Sequence, residues 1–341
     1  MSRNTIASIN LAAIRNNLSI VRGLVPDSKI ASVVKADGYG HGITRVVGAL
    51  QDSDLLAVAT SAEAAALRKG GWNGRLLMLE GFANADEYDL AQSLNAETVV
   101  HHHSQLHMLR QRRWHSGNRI WLKLDTGMHR LGFPLADARA VFTELESLAG
   151  SGAVVLMSHF ACADEPGNLK TQTQIERFDA ISQGLEADQS LANSAAILNF
   201  PQSHRDLVRP GILLYGISPE PGQSASDIGL MPAMTLSCEL VAINHCFAGE
   251  SIGYGAAYHC PEDMRIGVAA IGYGDGYPRQ LRNGTPVLVN GRKAQLAGRV
   301  SMDLVTLDLR GHDDAVTGDP VVLWGEGLAV AVGDPLPDVA G

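Results

Sequence analysis

The sequence is poor in cysteine, and its other metal-binding side chains are not arranged as a metal site. None of the cysteines forms a C-x-x-C pair, so we expect neither a disulfide framework nor a zinc site from the four present, Cys162, Cys238, Cys246 and Cys260. The tract 101–103 (HHH) lacks further ligands, and we interpret it as a solvated loop rather than as a metal site.

Basic surface and long hydrophobic runs are also missing. The formal net charge is −9 with acidic and basic residues interleaved, which argues against binding to nucleic acid or to an anionic membrane. No run approaches the length of a membrane span, and Asn10, Arg15 and Asn16 interrupt the N-terminal stretch where a signal peptide would be apolar. We therefore expect a cytoplasmic protein with a small-molecule ligand. At 45% hydrophobic residues, the chain can bury the cores of two domains.

Strand-like and helix-like segments alternate along the first two thirds of the chain. A helix is predicted from Leu11 to Val25, with Asn10 as its N-cap. The predicted strands lie at 30–35, 55–60, 75–79, 97–101, 119–125, 153–160, 191–197 and 207–214, with helical stretches such as 61–67 and 173–185 between them. This alternation predicts a parallel (β/α)8 barrel. A doubly wound sheet is the alternative, but the glycines of DGYGHG do not form the G-x-G-x-x-G fingerprint.

A second domain follows the barrel. From about Met234 the chain consists of short β-rich segments broken by Gly, Asn and Pro, and Asn290-Gly291 is typical of a hairpin. We assign residues 1–232 to the barrel, with residues 1–10 as a candidate strand of the other domain, and residues 233–341 to a mostly-β domain.

Lys35 ends the first predicted barrel strand, in KIASVVKADGYGHG. It shares a pleat face with Ala31 and Val33, and so points into the barrel mouth, where the active sites of such barrels lie. Desolvation there would favour the neutral amine that Schiff-base chemistry needs. The alternative is a lysine that extends from a strand end into water.

A second strand end offers donors for an anion. In VRPGI, Arg209 precedes a proline that holds the backbone extended, and free N–H groups follow on Gly211 and Ile212. Together with Asn193-Ser194, such donors can hold a phosphate, although the same residues are also common in ordinary turns. A lysine beside a phosphate site implies pyridoxal phosphate (PLP).

Eight short motifs carry a resemblance to one enzyme family. In chain order they read VVKADGYGHG, LKLDTGMHRLG, SHFACADE, ANSAA, LVRPGILLYG, IGYGAAY, IGYGDGYPR and GRVSMD. With these motifs the chain resembles the alanine racemases from about residue 5 to about residue 325. The resemblance implies a homodimeric, PLP-dependent isomerase that interconverts L- and D-alanine.

The resemblance also implies which residues bind the cofactor. Lys35 would carry PLP covalently, and the phosphate would be held by Tyr39, Asn193, Ser194, Gly211 and Ile212. Arg209 would face the pyridine nitrogen. Because an arginine offers no acceptor, it disfavours protonation of that nitrogen, and this would suppress side reactions such as transamination.

Racemisation needs a base on each face of the substrate Cα. By the resemblance, Lys35 serves one face, and Tyr254 of the partner subunit, in IGYGAAY, serves the other. A tyrosine has an ordinary pKa of about 10 and needs help to act as a base. The resemblance places His159 and Arg209 beside it.

The IGYG pattern occurs twice, and the pattern alone does not choose between Tyr254 and Tyr273. The resemblance assigns Tyr254 to catalysis and places Tyr273, Arg279 and Asp164 at the entrance to the active site.

Two further motifs concern the substrate carboxylate. Arg130 resembles the family's contact to the cofactor oxygen and the carboxylate, for which a planar guanidinium is suited. Met302 would contribute its backbone N–H from the partner subunit. Lys123 stands where many relatives carry a CO₂-modified lysine, and a plain lysine paired with a carboxylate is the alternative.

The chain departs from the family pattern in two places. Asp37 and Gly38 stand where the family usually reads Asn-Ala, so a carboxylate would lie near the phosphate if it pointed inward. After about residue 327 the tail LAVAVGDPLPDVAG lacks the family's terminal tyrosine, and we expect weaker PLP retention on that account.

Alanine racemisation is the leading hypothesis, with three alternatives. A PLP-dependent decarboxylase on the same plan would face the pyridine nitrogen with a carboxylate, which Arg209 argues against. A non-catalytic PLP carrier would be a single barrel without the β domain. A catalytically impaired racemase remnant follows if the altered tail matters.

Overall fold

A computed structural model of the chain describes residues 4–112, 114 and 117–328, which form two compact units. One unit runs from Ile14 to Tyr215. The other combines the described residues up to Ala13 with those from Gly216 onward. The units divide at Gly216, and a Cβ there would lie 1.9 Å from the Met231 carbonyl oxygen. Residues 216–232, which the sequence analysis assigned to the barrel, therefore pack within the second unit.

The chain begins with strand β1 (Ile6–Ile9) and helix α1 (Leu11–Leu24). Asn10 Oδ1 accepts the Ala13 N–H at 3.0 Å, so the predicted N-cap of this helix is confirmed. The barrel strands are β2 (Lys29–Val33), β3 (Leu55–Val58), β4 (Arg75–Met78), β5 (Glu97–Val100), β6 (Ile120–Lys123), β7 (Val154–Met157), β8 (Asp188–Ser190) and β9 (Leu207–Val208).

These eight strands form one parallel sheet that nearly closes into a barrel. Each strand from β2 to β7 pairs with the next along the chain, β9 pairs with β2, and a bridge between Asn193 and Arg209 links the segments after β8 and β9. The predicted fold class is confirmed. The barrel is filled by Ala31, Val33, Leu55, Ala57, Leu77, Val99, Trp121, Val155, Met157 and Leu207. Alternate residues of each strand point inward, so the next residue on the same pleat as Trp121 is Lys123.

The helices of this unit, after α1, are α2 (Lys35–Tyr39), α3 (Ile43–Val46), α4 (Ser61–Lys69), α5 (Ala85–Ser93), α6 (His103–Gln111), α7 (Ala138–Ala149), α8 (Leu169–Ser182) and α9 (Ser194–Asn199). The strand predicted at 191–197 is wrong. Asn193 Oδ1 accepts the Ala196 N–H at 3.0 Å and starts α9, while the strand lies upstream in the polar residues Asp188–Ser190. The strand predicted at 207–214 ends at Val208, because Pro210 and Gly211 stop the ladder.

The second unit is an antiparallel sheet. Its strands are β1, β10 (Met234–Cys246), β13 (Met264–Ala269), β14 (Pro286–Val289), β15 (Arg292–Leu296), β16 (Val305–Asp308) and β17 (Pro320–Trp324), and a separate pair is formed by β11 (Ser251–Ile252) and β12 (Tyr258–His259). β10 pairs with β1, β13 and β17. The predicted hairpin is confirmed, since β14 and β15 are joined by Asn290 and Gly291 at φ 49° and 73°.

Within the described residues, none of the helices combines the length and the apolar character that crossing a bilayer requires. All four cysteines are free. The predictions about the tail concern residues 328–341, of which residues 329–341 lie outside the described part of the chain.

Candidate active site

Four predicted site residues lie at the carboxyl ends of barrel strands. Lys35 follows β2, Lys123 ends β6, His159 follows β7 and Arg209 follows β9. Ends of parallel strands meet on one face of a barrel, and that face is where barrel enzymes hold their active sites. The charges of Arg209, Lys123, Arg130 and Lys35 all act on His159, so the predicted residues from four motifs are near one another.

Lys35 opens a left-handed turn, α2. Ala36, Asp37, Gly38 and Tyr39 have φ values of 52°, 53°, 65° and 53°. This conformation costs a residue with a side chain about 1–2 kcal/mol, so contacts must hold the turn in place. The Asp37 carboxylate provides one, accepting the Ile43 N–H at 2.8 Å. Asp37 is exposed and faces α3. The motif therefore accommodates the Asp37 carboxylate on the outside of the turn.

Arg209 is buried in a dense set of acceptors. Nη1 donates to Ser190 Oγ at 2.6 Å, and Nη2 donates to the carbonyl oxygens of Ser158 at 2.6 Å and Leu191 at 3.2 Å. Burial lowers the pKa of Arg209 to about 10, so the group stays charged at neutral pH. Its plane and position are fixed by at least three partners.

His159 lies 3.3 Å from Arg209, measured from Nδ1 to Nη2. Burial, and then the positive charges of Arg209 and Lys123, hold the pKa of His159 well below its usual range. The imidazole is therefore neutral at working pH. Because a guanidinium can only donate, Nδ1 is the acceptor and the proton resides on Nε2, which is left as a donor.

Lys123 is 8% exposed on the inward pleat of β6. Burial first, and then the charges of Arg209 and Arg130, lower its pKa to about 8. The ion pair proposed as the alternative for this lysine is not formed: among the described residues, no carboxylate lies within ion-pair distance of it. The mouth thus carries an excess of positive charge, which suits an anionic ligand.

The pH dependence of stability tests this environment. Lys123 has a folded pKa of about 8 against an unfolded value near 10.5, so its burial costs stability fully below pH 8 and less as pH rises toward 10.5. We expect Lys123→Met to be more stable than the native chain by about 2–3 kcal/mol at pH 7, with the difference shrinking above pH 8. Denaturant unfolding of both proteins in CO₂-free buffer at several pH values measures it. A difference that stays constant with pH contradicts this assignment.

Arg130 is presented by a preformed loop. Asp125 Oδ1 accepts the N–H groups of Gly127 at 2.9 Å and Met128 at 3.1 Å, and the loop closes where the Phe133 N–H donates to the Lys123 carbonyl at 2.8 Å. Arg130 itself is exposed. It borders a small pocket whose lining is Lys123, Leu124, Asp125, Met128, Arg130, Leu131, Ser158 and His159. The pocket thus joins the LKLDTGMHRLG and SHFACADE motifs.

The predicted phosphate ligands surround Gly211. A Cβ on Gly211 would lie 2.3 Å from the Tyr39 hydroxyl oxygen, so only glycine leaves that space open. The prediction that the Gly211 N–H is free is wrong, because it donates to Ser194 Oγ at 2.9 Å. The Ile212 N–H donates to no acceptor in the described part of the chain. Asn193 holds the start of α9.

The remaining predicted residues, apart from Asp164, belong to the second unit, the one with the antiparallel sheet, which we call the β unit. Tyr254 is 72% exposed in a turn after β11, between Gly253 and Gly255 at φ 69° and 70°. Met302 is 56% exposed, and its carbonyl accepts the Gly274 N–H at 2.8 Å. The IGYGDGY and GRVSMD loops are therefore bonded to each other.

The three residues predicted at the entrance are all exposed. Arg279 Cζ lies 5.3 Å from the centre of the Tyr273 ring, a cation–π pair in the β unit. Asp164 lies in the barrel unit, in the segment between β7 and α8.

The histidine tract has a structural use. His102 is the N-cap of α6 and accepts the Ser104 N–H at 3.2 Å, and His103 is the first helical residue. The interpretation as a loop is thus wrong for His103. Among the described residues there is no group of three or more His, Cys, Asp or Glu side chains that could hold a metal ion.

Several contacts at the mouth involve residues that the sequence analysis does not name. Ser190 holds Arg209, and Gln174 Nε2 donates to the His159 carbonyl at 2.9 Å and to Thr126 Oγ1 at 3.1 Å. These partners are 15 to 48 residues apart in sequence. The sequence carries no local signal for them.

Comparisons with known proteins agree with this arrangement of motifs. Two family models match the chain: "Alanine racemase, N-terminal domain" over residues 9–219 and "Alanine racemase, C-terminal domain" over residues 233–334. The alanine racemase of Shewanella denitrificans is 47% identical over 329 residues, and that of Nitrosococcus oceani 48% identical over 326. Both matches cover 95% of this chain and 91% of the relative.

Solved structures give the same result. The biosynthetic alanine racemase of Pseudomonas aeruginosa superimposes with a TM-score of 0.92 at 45% identity, over 96% of this chain and 92% of that one. The alanine racemase of Bartonella henselae, solved with covalently bound pyridoxal phosphate, gives a TM-score of 0.82 at 26% identity, over 95% and 91%. The chain belongs to the alanine racemase family of isomerases.

Proposed function

We propose that this chain interconverts L- and D-alanine with PLP bound at the barrel mouth, and with Lys35 and Tyr254 of the partner subunit as the two bases. One observation carries the proposal: Lys35 lies in the barrel mouth that also holds the buried Arg209 and the open space beside Gly211. PLP, when bound, withdraws electron density from the substrate Cα and so makes its proton removable.

The residues present fit this cofactor. The Tyr39 hydroxyl and the unengaged Ile212 N–H provide donors beside Gly211, where a phosphate would lie. Ser194 fixes the Gly211 backbone. The positive charges at the mouth favour both a phosphate and a substrate carboxylate, and Arg130 is available for the latter. The Bartonella relative, solved with covalently bound pyridoxal phosphate, supports covalent binding of this cofactor here.

A substitution at Gly211 tests the phosphate site without removing any functional side chain. In Gly211→Ala the new methyl group would collide with the Tyr39 hydroxyl, so we expect PLP affinity to fall by about tenfold or more. Gly48→Ala is the matched control, because no heavy atom lies within 4 Å of its added Cβ. Titration with PLP followed by absorbance gives both dissociation constants. Equal affinities in the two variants would place the phosphate elsewhere.

Arg209 favours racemisation over decarboxylation. Its guanidinium can only donate, and its acceptors on Ser158, Ser190 and Leu191 hold it rigidly. Arg209 would therefore keep a pyridine nitrogen facing it unprotonated, and this would limit the electron withdrawal that the cofactor supplies at Cα. The decarboxylase alternative needs a carboxylate at this position.

The second base is proposed to come from a homodimer. Tyr254 and Met302 are the exposed side chains of the β unit that the family resemblance assigns to the site of the other subunit, with Tyr273 and Arg279 at its entrance. His159, neutral and with Nε2–H free to donate, is suited to stabilising a phenolate on Tyr254 of the partner subunit. On the opposite face of Cα, Nζ of Lys35 takes up or returns the proton.

Lys123 remains the candidate for CO₂ modification. With a pKa of about 8, about a tenth of Lys123 is the neutral amine at pH 7, whereas a lysine with the ordinary pKa is almost entirely charged. The neutral amine is the form that reacts with CO₂. The carbamate would be an anion among Arg209, Arg130 and Lys35, and it would reverse the unfavourable charge at this point of the barrel. Its expected role is to orient Arg130.

Solvent deuterium labelling separates the proposed function from its alternatives. Incubation of the purified protein with PLP and L-alanine in D₂O should yield D-alanine labelled at Cα. A decarboxylase would release CO₂, and a carrier or an inactive remnant would do neither.

Borohydride reduction followed by peptide mapping should place a pyridoxyl group on Lys35, and a label on another lysine would overturn the site.

A further inference from the structure

We infer that Glu63 is a positioning residue for Lys35, an inference that rests on the proposed function. Glu63 belongs to α4, and its Oε1 accepts the Ala36 N–H at 2.6 Å. Oε2 accepts the N–H groups of Ala59 at 2.9 Å and Thr60 at 3.1 Å. One carboxylate therefore joins the residue that follows Lys35 to the segment between β3 and α4.

The bond from the Ala36 N–H to Glu63 lies where the backbone changes from the β2 strand to the left-handed turn. Val34 is still held by the sheet, since its N–H donates to the Ala57 carbonyl at 2.8 Å, and Ala36 is already left-handed at φ 52°. Lys35 lies between these two fixed residues. A bond to the Ala36 N–H therefore selects the left-handed turn over the right-handed conformation that a residue with a Cβ prefers, and so fixes the direction of the Lys35 side chain.

A second contact holds the far side of the same turn. The Asp37 carboxylate accepts the Ile43 N–H at 2.8 Å. Asp37 acts from within the turn, whereas Glu63 reaches it from a separate helix. Glu63 is thus the described side chain that ties the Lys35 turn to the neighbouring β/α unit of the barrel.

Glu63 has two roles that substitution can separate. It is also the third residue of α4 and completes a capping box, in which Thr60 Oγ1 accepts the Glu63 N–H at 3.2 Å. Glu63→Gln leaves a single acceptor oxygen for N–H groups that now use two, and its amide would point an N–H at a donor. Thr60→Val damages the same helix cap but leaves the bond to Ala36 intact.

The experiment compares the native protein, Glu63→Gln and Thr60→Val, all loaded with PLP. We measure Tm, kcat and KM for alanine, and the fraction of Lys35 that carries pyridoxyl after borohydride reduction at equimolar PLP. For Glu63→Gln we expect kcat to fall by about tenfold or more and labelling of Lys35 to drop. For Thr60→Val we expect Tm to fall at least as far, with kcat and labelling within about twofold of native.

Two results overturn the inference. One is a Glu63→Gln protein with native kcat and labelling. The other is a loss of kcat in both variants that follows the loss of Tm, which would make Glu63 only a helix cap. A native protein without label on Lys35 refutes the proposed function instead, and the positioning role falls with it.

Discussion

Lys35→Ala is expected to lower the rate of alanine racemisation by at least about 10⁴-fold, the largest effect of any substitution considered. The reason is that Lys35 has two roles in the proposed mechanism: it attaches the cofactor and it exchanges the proton on one face of Cα. The measurement is the initial rate of D-alanine formation from L-alanine at saturating PLP. Borohydride reduction of the variant should leave no pyridoxyl group at residue 35.

A matched control is Lys170→Ala, which removes an exposed lysine from α8. Its rate should stay within about twofold of native. Addition of a small primary amine to Lys35→Ala should restore part of the activity, because an external amine can replace the lost base. Activity of Lys35→Ala within tenfold of native, without added amine, would exclude this lysine from the chemistry.

The barrel could be predicted because its strands are buried on both faces. Strands such as Leu55–Val58 and Val154–Met157 are continuous apolar runs, and their spacing along the chain indicates the alternation with helices. The seventh barrel strand, β8, was misplaced because Asp188–Ser190 is polar. Its backbone is held by a neighbouring strand, as Leu156 pairs with Gln189, and propensity does not report such pairing.

The site could be predicted only in part, and for a similar reason. Lys35 and Arg209 were found because each lies in a run that the sequence predicts as a strand, and the family motifs supplied the remaining residues. Glu63 and Ser190 were missed because their partners lie 27 and 19 residues away, and only the folded chain brings them together. The engagement of the Gly211 N–H by Ser194 was missed for the same reason. Residues that hold catalytic groups in place thus carry weaker sequence signals than the groups themselves.

Tyr254→Phe is expected to lower racemisation in both directions by about 10²–10⁴-fold, the effect of losing one acid–base group. Tyr254 is 72% exposed, so its hydroxyl contributes little to the stability of the β unit, and Tm should change little. The remaining base, Lys35, should still exchange the Cα proton of one enantiomer with solvent. In D₂O the variant should therefore deuterate one enantiomer without inverting it.

Tyr258→Phe gives the control for this experiment, because it makes the same chemical change a few residues further along. The Tyr258 hydroxyl donates to Asp308 Oδ2 at 3.2 Å, a contact within the β unit, and we expect its loss to leave the racemisation rate within about twofold of native. If Tyr254→Phe racemises alanine at the native rate in both directions while Tyr258→Phe does not, the assignment of the two hydroxyls is reversed. If both retain native rates, the second proton is exchanged by another group, and the mechanism does not need a phenol from the partner subunit.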